Sequence, residues 1–93
     1  MSFTKESSTK RAKTDLAERL DVGEDEVTER GVTEKEFSDM SLGASVDGEM
    51  SAQMISSGWS IELEADGERY EYRGDKYQLR LYDFQGKNYV IES

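Results

Sequence analysis

From Trp59 to Arg73 apolar and polar residues alternate, pause at Asp66-Gly67, and alternate again. An Asp-Gly pair between two alternating runs is the strongest short-range signal for a β-hairpin with a two-residue type I′ turn, in which both turn residues take positive φ. With Asp66-Gly67 as the turn, Ala65 opposes Glu68, Leu63 opposes Tyr70 and Ile61 opposes Tyr72. All apolar partners then share one face. Ser60, Glu62, Glu64, Arg69, Glu71 and Arg73 share the other, so one register buries one face.

The same reasoning extends in both directions. Gly74-Asp75 reads as a second two-residue turn, of type II′, setting Tyr72 against Tyr77 and Tyr70 against Leu79. A last turn near Phe84-Gln85-Gly86-Lys87 would pair Leu81 with Val90. Tyr82, Phe84, Tyr89 and Ile91 then need a second apolar environment: either the strand switches faces at a bulge, or they form an exposed aromatic patch. Upstream, Val27 to Phe37 reads as a strand. Val27 and Val32 have opposite parity, which a bulge at Gly31 reconciles. Lys35 and its flanking glutamates mark it as an edge protected by charge.

Before the strands, Ala12, Leu16 and Leu20 recur at helical spacing. They predict a helix over about 8–21, N-capped by Ser7 or Ser8, with Gly23 as the left-handed residue past its end. Basic residues crowd its first turns and acids its last, against the helix dipole, so it needs tertiary packing to form. The expected fold is α+β: one N-terminal helix packed on a meandering antiparallel sheet of four or five strands. Residues 1–7 are read as a disordered tail and residues 8–93 as one domain.

Composition narrows the function classes. Only 34% of the 93 residues are hydrophobic, so the core is modest. The chain lacks cysteine and histidine, which removes disulfides, thiolate metal sites and the commonest catalytic base. Net charge is −9, concentrated between residues 14 and 68, and such a surface repels phosphate backbones. No apolar run approaches membrane-span length, and residues 1–13 contain no apolar signal core. The expected location is cytoplasmic.

Residues 38–58 are the least regular: three glycines, no proline, and serine, aspartate and methionine between them. Met50, Ala52 and Met54 alternate and predict a short strand. The segment is expected to be mobile. Met40, Met50 and Met54 near Trp59 form a soft cluster of the kind that fills core gaps or lines plastic binding surfaces. Met40, Leu42, Met50, Met54 and Trp59 are therefore the candidate partner-binding residues.

Three blocks carry a family resemblance: Ala12 through Leu20, Phe37 through Gly43 with Ser41-Leu42-Gly43, and Gly58 through Tyr72 with Leu63-Glu64-Ala65-Asp66-Gly67 and Tyr70-Glu71-Tyr72. From Ala12 to about Asp75 the chain resembles a small bacterial domain family with no assigned function, often found in lipoproteins. The resemblance implies the fold and a binding role. Family members usually place a cysteine after Ser-Leu-Gly, paired with one near the C-terminus, and many follow a lipoprotein-type leader. Here Ala44 stands at that position and residues 1–13 do not read as a leader, so a stapled loop and an extracytoplasmic location are not expected of this chain.

Other clusters have plainer readings. Asp21, Glu24, Asp25 and Glu26 lack calcium-loop spacing and read as a solvated turn. Ser41 through Ser45 has no histidine to activate a serine. Glu62, Glu64, Glu68 and Glu71 lie among Arg69, Arg73 and Arg80, and cross-strand ion pairing is expected rather than acid/base work. Tyr70, Tyr72 and Tyr77 fall on the apolar face, as core rather than as base-stacking platforms. The functional expectation is a small non-enzymatic protein-binding or regulatory module of unknown partner, a monomer or weak dimer, with no cofactor, metal, nucleic acid or membrane involved. The alternatives are a structural protein with no specific ligand and, third, a carboxylate-based hydrolase.

Overall fold

The computed structural model describes residues 2–93. One helix, α1 (Lys5–Leu20), precedes a turn of 3-10 helix (Glu24–Glu26) and five strands: β1 (Thr28–Phe37), β2 (Ser56–Ala65), β3 (Glu68–Gly74), β4 (Leu79–Phe84) and β5 (Lys87–Glu92). The strands form one antiparallel sheet in sequence order, with α1 packed on it. This is the α+β meander expected. No described helix is long and apolar enough to cross a membrane.

The helix begins earlier than the apolar spacing indicates. Thr4, not Ser7 or Ser8, is the N-cap. The Ser7 N–H donates to Thr4 Oγ1 at 3.1 Å and the Thr4 N–H to Ser7 Oγ at 2.9 Å, a reciprocal cap that satisfies two orphan donors. Residues 5–7, expected within a tail, are thus the first helical turn. The Phe3 N–H also donates to the Lys76 carbonyl. At the other end Asp21, not Gly23, takes the left-handed conformation, with φ 56°. The unfavourable charges of the first turns find distant partners: Lys5 pairs with Glu34 and Arg11 with Glu92.

The central hairpin has the expected register, Leu63 opposite Tyr70 and Ile61 opposite Tyr72. Asp66 and Gly67 both take positive φ, as a type I′ turn requires. The β1 bulge lies between Glu29 and Gly31. Arg30 is the extra residue, which turns Val32 toward the helix-side core.

The next turn differs from expectation. Gly74 pairs with Leu79, and Tyr72 with Leu81 rather than Tyr77. The connection is the four-residue turn Asp75–Gln78. Buried Asp75 closes it: its Oδ1 accepts the N–H groups of Tyr77 at 2.8 Å and Gln78 at 3.1 Å, an Asx-type bond that a two-residue turn cannot make. The register moves by four residues, an even number, so Leu79 and Leu81 keep the apolar face while Tyr77 is left exposed. The last hairpin turns at Gln85-Gly86, both at positive φ, with a register shift between Leu81 and Phe84. Leu81 therefore opposes Tyr89, not Val90. Asp83, at φ 51°, sits in that irregularity. Of the two alternatives left open for the C-terminal aromatics, the face switch is the one realised. Phe84, Tyr89 and Ile91 pack on the helix-side core, and Tyr82 faces the other way, against Arg73.

The core between helix and sheet holds Ala12, Leu16, Ala17, Ile61, Leu63, Tyr72, Leu79 and Leu81. A polar seam crosses it. The Tyr72 hydroxyl donates to Asp15 Oδ2 at 2.7 Å, and Arg19 Nε donates to the same oxygen at 2.7 Å. The Arg19 guanidinium lies 4.5 Å from the Tyr89 ring centroid and 5.7 Å from that of Phe84. Burial, reinforced by the bond to Asp15, holds the Tyr72 phenol protonated far above its ordinary range.

Two substitutions test this framework. Leu16 is fully buried, so Leu16→Ala should cost ~2–5 kcal/mol in urea unfolding. Gly67 has φ 78° with open space where a Cβ would stand, so only backbone strain opposes a side chain there. Gly67→Val should cost more than ~1 kcal/mol, against a smaller loss for Gly67→Asn, which tolerates the left-handed region. Equal losses for the two would refute the turn type.

Candidate functional site

The segment between β1 and β2 is two structures, not one mobile loop. Its first half, residues 38–49, lies as a strap on the sheet face opposite α1. Leu42 and Ala44 are fully buried there, with Ser41 beside them. Asp39 Oδ1 accepts the N–H groups of Ser41 and Gly43, and the Ser41 carbonyl accepts the Ala44 N–H. Leu42 and Gly43 take φ 59° and 68°, a fold-back that drives the leucine side chain into the sheet. A Cβ on Gly43 would stand 2.6 Å from Arg73 Nη1, so a side chain there would displace the guanidinium that holds the Leu42 carbonyl as well as strain the positive φ.

Side chains of the sheet hold this strap by its carbonyls. Arg73 Nη1 donates to the Leu42 carbonyl at 3.0 Å, Asn88 Nδ2 to that of Ser45 at 2.8 Å and Gln78 Nε2 to that of Met40 at 2.8 Å. Arg80, buried in the sheet, donates to the Ala44 carbonyl at 3.1 Å. It also grips Glu49 through two bonds of 2.6 Å. The Arg80 guanidinium holds the Glu49 carboxyl down at about 2, well below its ordinary 4.5. Arg73 stacks 3.6 Å from the Tyr82 ring centroid and 5.5 Å from that of Phe37, closing the strap's far side.

The second half, Met50–Ile55, makes no such contacts and is almost wholly exposed. The strand expected from the alternation of Met50, Ala52 and Met54 does not form. The five candidate residues therefore separate. Leu42 is core of the strap and is not available to a partner. Trp59 is half-buried on the helix side, its indole nitrogen close to Gly74, where a Cβ would come within 2.8 Å. Met50 is 97% exposed and stands apart. Met40 and Met54 do meet, lining a groove of about 400 Å³ with Ile55, Ser56, Lys76 and Tyr77 at the end of the sheet where β2 begins. Ile55 and Tyr77 are 71% and 73% exposed. Neither was singled out by the pattern as a binding residue. Their apolar character was legible, but which end of the sheet exposes them depends on the Asp75–Gln78 turn.

Two charged residues, Asp75 and Lys76, line this groove, and a cluster of acids lies at the far end of the sheet. Asp66 and Glu68 flank the hairpin turn at the opposite end of β2, and Glu24, Asp25 and Glu26 lead into β1 where Thr28 pairs with Glu64, at that same far end. The expected ion pairing of the hairpin carboxylates is realised in part: Glu62 pairs across strands with Arg69, but Glu64 pairs with Arg30, Glu71 with Arg73 on its own strand, Glu68 accepts from the Tyr70 hydroxyl instead, and Arg80 is taken by Glu49. Among the described residues no group of three or more acidic side chains is placed to hold a metal ion.

A family model described as Domain of unknown function (DUF8738) matches residues 9–81. That span runs from the first turns of α1 into β4 and includes the strap, its arginine anchors and the groove. No curated protein and no solved structure matches the chain.

The strap makes a pH prediction. Because the folded Glu49 carboxyl titrates at about 2 rather than 4.5, the stability it contributes is complete above about pH 4.5 and is lost as the pH falls from there toward 2. Glu49→Gln should flatten the acid limb of the stability profile in that window. It should also speed amide exchange at Ala44–Glu49 while leaving Ile61–Tyr72 protected. An unchanged acid limb would show that the pair does not hold the strap.

Proposed function

We propose that this chain, which belongs to the DUF8738 family of unknown function, is a small non-enzymatic module that docks a partner protein through the end-of-sheet groove of Met40, Met54, Ile55 and Tyr77. The observation that carries this reading is the clustering of exposed apolar side chains. Of the six large hydrophobic residues left exposed among the described residues, Met40, Met54, Ile55 and Tyr77 line one groove. Contiguous apolar patches mark interaction sites, whereas scattered exposed residues need no explanation. Methionines suit such a site because flexible thioethers adapt to a partner's shape. The acids at the far end repel an acidic partner, while Lys76 in the groove offers such a partner a cation.

The same features disfavour catalysis and nucleic-acid binding. The most strongly shifted carboxylate, Glu49, is spent on Arg80, and the buried phenol of Tyr72 is spent on Asp15. With no cysteine in the chain, a reducing compartment such as the cytoplasm is the location the composition supports.

Site-directed photocrosslinking decides the matter. A benzophenone side chain placed at Tyr77 should capture a discrete partner in extract of the source cells, and one placed at Glu26 should not. Capture at Tyr77 should fall at least tenfold on adding Ile55→Asp, with the melting temperature unchanged because Ile55 is exposed. Equal capture from both positions, or capture indifferent to Ile55→Asp, would overturn the assignment.

A further inference from the structure

We propose that Met50–Ile55 is an unpaired strand segment that takes up an extended segment of the partner by β-strand addition, in line with β3; this rests on the docking reading above and names its mode. The first observation is the register of β2 and β3. Its last pair is Trp59 with Gly74. Continued, it would set Ser57 opposite Lys76 and Ile55 opposite Gln78. Instead the chain turns at Asp75–Gln78 into β4. The residues preceding Ser56 therefore outrun β3 and pair with no described strand on that side, where the Asp75–Gln78 turn lines the groove instead.

The second observation is the accounting of backbone groups. Outside the strand ladders, only one backbone hydrogen bond reaches Met50–Ile55 among the described residues: the Met40 N–H donates to the Ala52 carbonyl at 3.0 Å. No described side chain bonds its N–H or carbonyl groups. The segment takes no positive φ and lies in no helix or strand. Its donors and acceptors face water, where a partner's backbone can replace that water. In an extended chain, successive residues direct their N–H and C=O groups to opposite sides. With the segment extended as proposed, an Ala52 carbonyl held by Met40 sets the groups of Ser51, Gln53 and Ile55 on the side that β3 vacates.

The third observation is the sequence pattern. Met50, Ala52 and Met54 alternate as a half-buried strand does, yet the isolated chain buries none of them. A strand pattern without a strand is explained when the pairing partner lies on another molecule. The groove specifies that partner. Its apolar wall of Met54, Ile55 and Tyr77 suits alternate apolar side chains. Its lining carries two charges: the Asp75 carboxylate, buried and turned to the N–H groups of Tyr77 and Gln78, and Lys76, exposed and in no ion pair among the described residues. The occupant is thus an extended segment of roughly five residues, a typical strand length, with alternating apolar side chains and a carboxylate where it reaches Lys76.

Synthetic peptides test the proposal without a known partner. The probes are acetylated hexapeptides alternating valine with threonine and carrying one terminal aspartate, with a lysine-bearing counterpart, titrated into ¹⁵N-labelled protein. Saturating shifts should appear from Ser51 to Ser57 and at Tyr77, with Hα–Hα contacts between peptide and protein. The aspartate peptide should bind at least fivefold tighter than the lysine peptide. N-methylation of alternate peptide residues should abolish binding on one edge of the peptide only. Gln53→Pro should weaken binding at least tenfold at an unchanged melting temperature, and Gln53→Ala should not. Absence of saturable shifts for every peptide would overturn strand addition while leaving the photocrosslinking result to judge docking. Binding that survives Gln53→Pro and N-methylation but is lost with Ile55→Asp would also overturn it, and would leave docking through side chains alone.

Discussion

Arg80 is the interaction on which the second face of the sheet depends. A single helix covers one face of a five-stranded sheet, and an antiparallel sheet can leave its other face to water. Here it is covered by irregular chain, which brings unpaired carbonyls with it. Arg80 and Arg73 resolve this by projecting from β4 and β3 and donating to those carbonyls. Glu49 then neutralises the buried guanidinium with two short bonds. Removing either partner would strand the other, which is why such pairs are costly to break even where their net contribution is small. Leu42 and Ala44 supply the apolar burial, and the arginines fix where it occurs.

The helix side solves the opposite problem, placing polar groups within an apolar layer. Asp15 lies on the buried stripe of α1, and its carboxylate accepts from Tyr72 and Arg19 together. Arg19 in turn rests on Phe84 and Tyr89. Those rings are available only because the register shift around Asp83 turns Phe84 to the helix side. The bulge, the aromatic pair and the buried carboxylate therefore form one dependency. β5 would otherwise present Tyr89 and Ile91 to a face with no helix above it.

Much of this fold can be read from local pattern, and the exceptions share a cause. The hairpin across Asp66-Gly67 and the bulge near Gly31 were legible because turn chemistry and side-chain parity agree within a dozen residues. The Asp75–Gln78 turn was not. Gly74 resembles the first residue of a type II′ turn, yet what decides the geometry is the Asp75 carboxylate closing over two N–H groups. Gly74 is small for another reason, the indole of Trp59 lying against it. The strap was illegible for the same reason on a longer scale. Its anchors lie 31 and 36 residues away from the carbonyls they hold. Three glycines and no proline describe a loop's freedom, not the distant donors that remove it. Of the methionines and their neighbours, Met40 and Met54 line one groove, while Leu42, two residues past Met40, is consumed by the strap.

That division of one connection into a fastened half and an unfastened half bears directly on function. Glu49 is the last residue that the sheet holds, and Met50, immediately after it, is the most exposed large hydrophobic residue. A chain selected only for solubility and stability has no reason to place methionine and isoleucine on the free side of such a boundary. Serine or glutamate there would lower the apolar surface at no cost in packing, since these side chains touch little. The strap confines the free residues to one end of the sheet, away from the acidic turn. Met40, which the sheet holds by its carbonyl, gives them one fixed wall. A rigid frame presenting a short unpaired apolar segment lowers the ordering cost that a wholly mobile loop would meet on binding. The strap, which a stability account alone would treat as cover for the sheet, also carries Met40, whose carbonyl Gln78 holds at one wall of the groove.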